Sequence, residues 1–123
     1  MNNKTFLSLH SGIYTAFALA LFLIPELMWP VYGVEINDQH ALFLSQHTSI
    51  FLGGLAIISF MLRDIEPGKV AKNLFSSLLL TNLLGVIITF YGAVIGVFTG
   101  LGWSDPAFFM LLSILSFEQM KKQ

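Results

Sequence analysis

The sequence predicts an all-α protein, a four-transmembrane-helix bundle with both termini in the cytoplasm. Three observations lead there. Hydrophobic residues fill 55% of the 123 positions and charged residues only 11%, a balance that suits lipid rather than water as the main solvent. Mean hydropathy is +0.77. The apolar residues fall in four runs separated by short polar segments. Finally, the basic residues recur at every second boundary: Lys4, then Arg63, Lys69 and Lys72, then Lys121 and Lys122. Segments 33–40 and 99–105 hold no Lys or Arg, so the positive-inside rule sets them outside and the termini and the 63–72 turn inside.

Residues 1–123 read as a single integral-membrane domain with spans at about 6–29, 41–62, 73–98 and 104–120. In the first span, Pro25 interrupts the helical ladder, while Trp29 and Tyr32 favour the headgroup level. A kink near Pro25 and an end near Trp29 are expected. The apolar run continues past Ala18-Leu19-Ala20 to Ile24, Leu27 and Met28, which predicts a retained helix rather than a cleaved signal peptide. Gly33, Glu35, Asn37, Asp38, Gln39 and His40 form a polar, acidic loop. The second span, 41–62, reaches about 33 Å at 1.5 Å per residue, a match for a hydrocarbon core of about 30 Å.

Arg63, Asp64, Glu66, Lys69 and Lys72, with Pro67-Gly68 among them, make a charged cytosolic turn between the two cleanest apolar runs. The third span, 73–98, is longer than the membrane requires and predicts tilt or a projecting first turn. Gly100, Gly102, Ser104, Asp105 and Pro106 form a turn, with Pro106 placed where a first helical position tolerates it. Residues 107–117 are a short apolar run, extended to a full span by 103–120 if Asp105 and Glu118 sit at the two interfaces. Neither half repeats the other with inverted pattern, so the repeat design of many transporters finds no support.

A net charge of −1 without a long basic cluster provides no footprint for nucleic acid. The absence of cysteine removes disulfides, thiolate chemistry and Cys-ligated metals. There is no phosphate loop, nucleophile elbow, zincin helix or calcium loop, so no catalytic residues are assigned.

Small residues recur at four-residue spacing: Gly12, Ala16 and Ala20 on the first helix, Ser45, Ser49 and Gly53 on the second, Gly92, Gly96 and Gly100 on the third. In lipid such stripes let backbones approach closely, inside one chain or between subunits. Polar groups within spans are where function shows. His47, Gln46 and Glu26 lie near the outer ends of their helices and Asn82 near mid-membrane, and these four are the candidate lining of a ligand cavity. His10 reads as an interfacial side chain near the cytosolic end. His10 and His47 fall about 16 Å apart in depth across a 30 Å core, too far to share a metal. His40 and His47 are seven residues apart on one helix, and no metal site is assigned.

With four spans in place, the pattern resembles the DoxX-like group of small four-helix bacterial inner-membrane proteins. The resemblance rests on a first helix ending in Pro25 to Gly33 and a second bearing Gly53 and Gly54 and ending at Arg63. A basic hairpin and a Gly102-Trp103 turn before a short last helix complete it. It implies residence in the bacterial cytoplasmic (inner) membrane and, as in some members, association with respiratory or redox partners. No catalytic set transfers with it.

The reading that follows is a structural or accessory subunit, packing through its small-residue faces onto other membrane proteins or onto copies of itself. The alternative is a binder or transporter of a small hydrophobic or protonatable ligand, for which a lipid, quinone or pigment is the candidate. The bilayer is a partner in either case. Reporter fusions at the two termini are expected to report the same cytoplasmic side, with insertions in 33–40 and 99–105 on the opposite one. Termini on opposite sides would overturn this threading.

Overall fold

The computed structural model describes residues 1–123. The chain is all-helical: α1 (Asn3–Leu23), α2 (Pro25–Val31), α3 (Gln39–Met61), α4 (Lys69–Val94), a 3-10 turn (Gly100–Trp103) and α5 (Ser104–Lys121). Four helical segments are long and apolar enough to cross a membrane: Asn3–Leu23, Gln39–Met61, Lys69–Val94 and Gly100–Lys121. The residues group into two compact units, Met1–Ile65 and Glu66–Gln123.

In the first unit α1 and α3 form an antiparallel hairpin with α2 at one end. Asn2 caps α1 by accepting a hydrogen bond from the Thr5 N–H at 2.7 Å. Asp38 does the same for α3 through Ala41, at 2.8 Å. Both are short polar side chains that satisfy otherwise orphaned N–H groups at an N-terminus. The expected kink at Pro25 is a full break: α1 stops at Leu23, Ile24 leaves helical geometry, and Pro25 begins α2. At the first position of α2 the missing N–H would have no partner within α2, so proline costs that helix no bond.

Helix α2 ends in a Schellman motif on Gly33, where the Val34 N–H donates to Trp29 O and the Gly33 N–H to Pro30 O, each at 3.0 Å. The second unit repeats the device at the end of α4. The Val97 N–H reaches Gly92 O at 2.8 Å and the Gly96 N–H reaches Ala93 O at 3.2 Å. Gly96 sits at φ +85°, a left-handed conformation that costs other residues about 1–2 kcal/mol. This corrects the expected third span at both ends. The helix begins at Lys69, in charged sequence that hydropathy assigned to the turn, and stops at Val94 rather than 98. Gly96 therefore lies in the connection and Gly100 opens the 3-10 turn, so neither continues a stripe on α4. Only Gly92 of that trio is on α4, and the ring of Phe98 covers it, 3.0 Å from where a Cβ would stand.

The buried side chains are unusual in kind: the polar ones, His10, Asn82, Gln119 and several serines among them, are as numerous as the apolar ones. The exposed side chains are large and apolar along every long helix, with Leu23 and Ile88 at 66% exposure and Phe51 at 65%. Water would penalise that surface by about 25 cal/mol for each Å². Lipid does not, and four helices of membrane-crossing length with this distribution are built for a bilayer.

In the second unit α4 and α5 pack as an antiparallel hairpin. They meet tightly at Gly85, where a Cβ would fall 2.5 Å from Cδ1 and 2.7 Å from Cγ of the Phe109 ring. Overpacking of this kind costs about 1–3 kcal/mol. Gly85→Ala should therefore lower the midpoint of unfolding in a denaturing-detergent titration, and a compensating Phe109→Leu should recover most of the loss. An unshifted midpoint for the single variant would mean that the two helices do not meet there.

Candidate functional site

The break at Pro25 leaves a chemical gap. The carbonyl of Leu21 would ordinarily accept from the N–H of residue 25, which proline lacks. Ser45 of α3 fills the gap, its hydroxyl donating to Leu21 O at 3.0 Å. The same Oγ accepts the indole N–H of Trp29, from α2, at 2.8 Å. Gln46 donates from Nε2 to Phe22 O, one carbonyl further on, at 3.3 Å. The end of α1 is thus completed by two consecutive side chains of α3, as a helix terminus away from water requires.

Further along the hairpin, the Ser11 hydroxyl donates to Ala56 O at 2.8 Å. Gly53 brings Ala18 to ordinary van der Waals distance, 3.8 Å from its built Cβ. Near the charged end, Asn3 Nδ2 donates to Ile65 O at 3.2 Å and Lys4 pairs with Asp64 at 3.3 Å. Ser45, Ser49, Ala56 and Ser59 are the buried residues of α3, so the face that meets α1 is narrow and polar.

His10 is where the structure departs most from expectation. It is 1% exposed, covered by protein rather than reaching out from its helix. Its ring stacks on Tyr14 at a centroid distance of 4.6 Å and an interplanar angle of 13°, with Phe6 on the other side at 5.6 Å. The three rings stand four residues apart, on one face of α1, as helical geometry demands. That spacing is present in the sequence, at the same interval as the small-residue stripe of the same helix.

The four expected ligand contacts occupy different surroundings. His47 is exposed on α3, between Phe43 at 5.5 Å and Phe51 at 5.9 Å. Gln46 is committed to the end of α1. Glu26 is exposed in the first turn of α2, where a carboxylate suits the helix dipole. Asn82 belongs to the second unit, fully buried, its Nδ2 donating to Ser116 Oγ at 3.3 Å while that hydroxyl donates to Leu112 O at 2.7 Å. No three His, Asp or Glu side chains gather closely enough to hold a metal ion.

The expected packing glycines also separate. Gly53 is in the α1–α3 contact, whereas Gly12 and Ala16 are exposed and Ala20 half-buried. A Cβ on Gly12 would meet nothing within 4 Å. Comparison with known protein families, with characterised proteins and with solved structures returns no match to this chain.

The Ser45 junction can be tested by fluorescence. In a Trp103→Phe background, which leaves Trp29 as the sole tryptophan of two, Ser45→Ala should shift the indole emission as its N–H loses its acceptor. Stability should fall by about 1–3 kcal/mol, the cost of leaving a buried polar group unpaired. Unaltered emission would show that the indole has another partner.

Proposed function

We propose that this chain is an integral protein of the bacterial cytoplasmic membrane and acts as a structural or accessory subunit, docking through a small-residue face of α1. The observation that carries this reading is the exposure of Gly12 and Ala16. Large side chains of α1, Phe6, Leu7, Tyr14 and Leu21, are buried on another face. Gly12 and Ala16 therefore stand outside the covered face of α1, and with the half-buried Ala20 they have the four-residue spacing that lets a second membrane helix approach closely. Both termini and the 63–72 turn are assigned to the cytoplasm on the distribution of Lys and Arg, and the DoxX-like resemblance points to the same membrane and to respiratory or redox complexes as hosts.

The ligand-binding alternative draws less support, because Gln46 and Asn82 spend their amides on hydrogen bonds inside their own hairpins. The expected interface glycines Gly92 and Gly96 are also poor probes of assembly. Substituting either disturbs a covered or left-handed backbone position, so loss of an oligomer would report misfolding.

Gly12→Leu with Ala16→Leu is the cleaner test, since both sites have room for a side chain. On a native gel of gently extracted membranes the double variant should migrate as a smaller species than the parent chain, with unchanged helical circular dichroism. Identical migration of the two would reject the docking role of this face.

A further inference from the structure

Beside the α1–α3 contact lies a groove of about 380 Å³, lined by Ser11 and Thr15 of α1 and by Ala56, Ile57, Phe60 and Met61 of α3. Its walls are apolar, and its buried hydroxyl, on Ser11, is already spent on Ala56 O. Hydrocarbon suits that lining better than a polar ligand, which would need free hydrogen-bonding groups.

One end of the groove is different. Arg63 stands two residues past Met61, and its guanidinium carbon lies 4.0 Å from the centroid of the Phe60 ring. One of its N–H groups donates to Phe60 O at 2.8 Å. Phe60, which lines the groove, thus also holds the cation against its ring. Arg63 has no ion pair of its own, because Asp64, the adjacent carboxylate, pairs with Lys4 at 3.3 Å. A guanidinium has five N–H donors in a planar fork suited to phosphate, and here one is used by the protein.

We infer that the groove and Arg63 together form a binding site for one anionic phospholipid, with the headgroup phosphate on the guanidinium and an acyl chain lying along residues 56–61. The site lies at the end of the hairpin that carries Lys4 and Arg63, where cationic side chains meet the charged headgroups of a leaflet. It is independent of the stripe on Gly12 and Ala16 and of any subunit role.

The test uses the full chain in a mild detergent, with phosphatidylglycerol and phosphatidylcholine of identical acyl chains added in equal amounts and adducts counted by native mass spectrometry. The parent chain should retain phosphatidylglycerol about fivefold over phosphatidylcholine, the scale of one cationic side chain at an anionic surface. Arg63→Gln should bring that ratio close to one while keeping the total adduct. Thr15→Trp, at an exposed position on the groove wall, should reduce both adducts severalfold. A parent chain without preference, an Arg63→Gln variant that keeps the parent ratio, or a Thr15→Trp variant with undiminished adducts would overturn the site. So would a ratio lost on Lys4→Gln instead, since that would move the phosphate to another cation.

Discussion

Lipid offers no hydrogen bonds, so a helix that stops short inside a membrane must find partners for its last carbonyls within the protein. Much of the first hairpin can be understood from that demand. Pro25 ends α1 and removes the donor for Leu21 O, and a serine from α3 replaces it. The same serine then receives the indole of Trp29, tying α2 to the junction. Four other ends are closed locally, by Asn2 and Asp38 at the starts of α1 and α3 and by Gly33 and Gly96 at the ends of α2 and α4.

The same demand governs hydroxyls along the helices. Thr48, Ser76, Ser77, Thr81, Thr89 and Ser113 each donate to the carbonyl four residues earlier on their own helix. Such back-bonding satisfies a hydroxyl that would otherwise face hydrocarbon, and it lets these residues occupy helix interiors where they are neutral or unfavourable in water. The helices tolerate polar composition because these groups are answered close by, and the buried Ser59 hydroxyl, without a hydrogen-bond partner, is the exception. Asn82 is answered by Ser116 of the neighbouring helix in its unit, a pairing typical of interhelical contacts in membranes.

What was legible from the residues was set by hydropathy and by charge. Hydropathy located the four long helices, because runs of this length leave little alternative. It misplaced the ends of α4, since Lys69 and Lys72 are good helix formers that read as turn by charge alone, and since a glycine at four-residue spacing looks the same whether it continues a stripe or terminates a helix. Gly96 does the latter. The site was less legible for a related reason. Ser45 and Gln46 gain their role from a proline twenty or so residues away, a relation that exists only once the hairpin has closed. His10 was placed by depth along its helix, and depth says nothing about which face is covered. The periodicity of Phe6, His10 and Tyr14 held that information.

The Ser45 junction has a consequence for how the protein is made. The donor for Leu21 O is 24 positions later in the chain, so a nascent α1 released alone into the bilayer would carry a bare carbonyl, at a cost of several kcal/mol in hydrocarbon. Closing the hairpin therefore couples the two segments: in lipid, α1 gains the partner for this carbonyl only once Ser45 of α3 stands beside it.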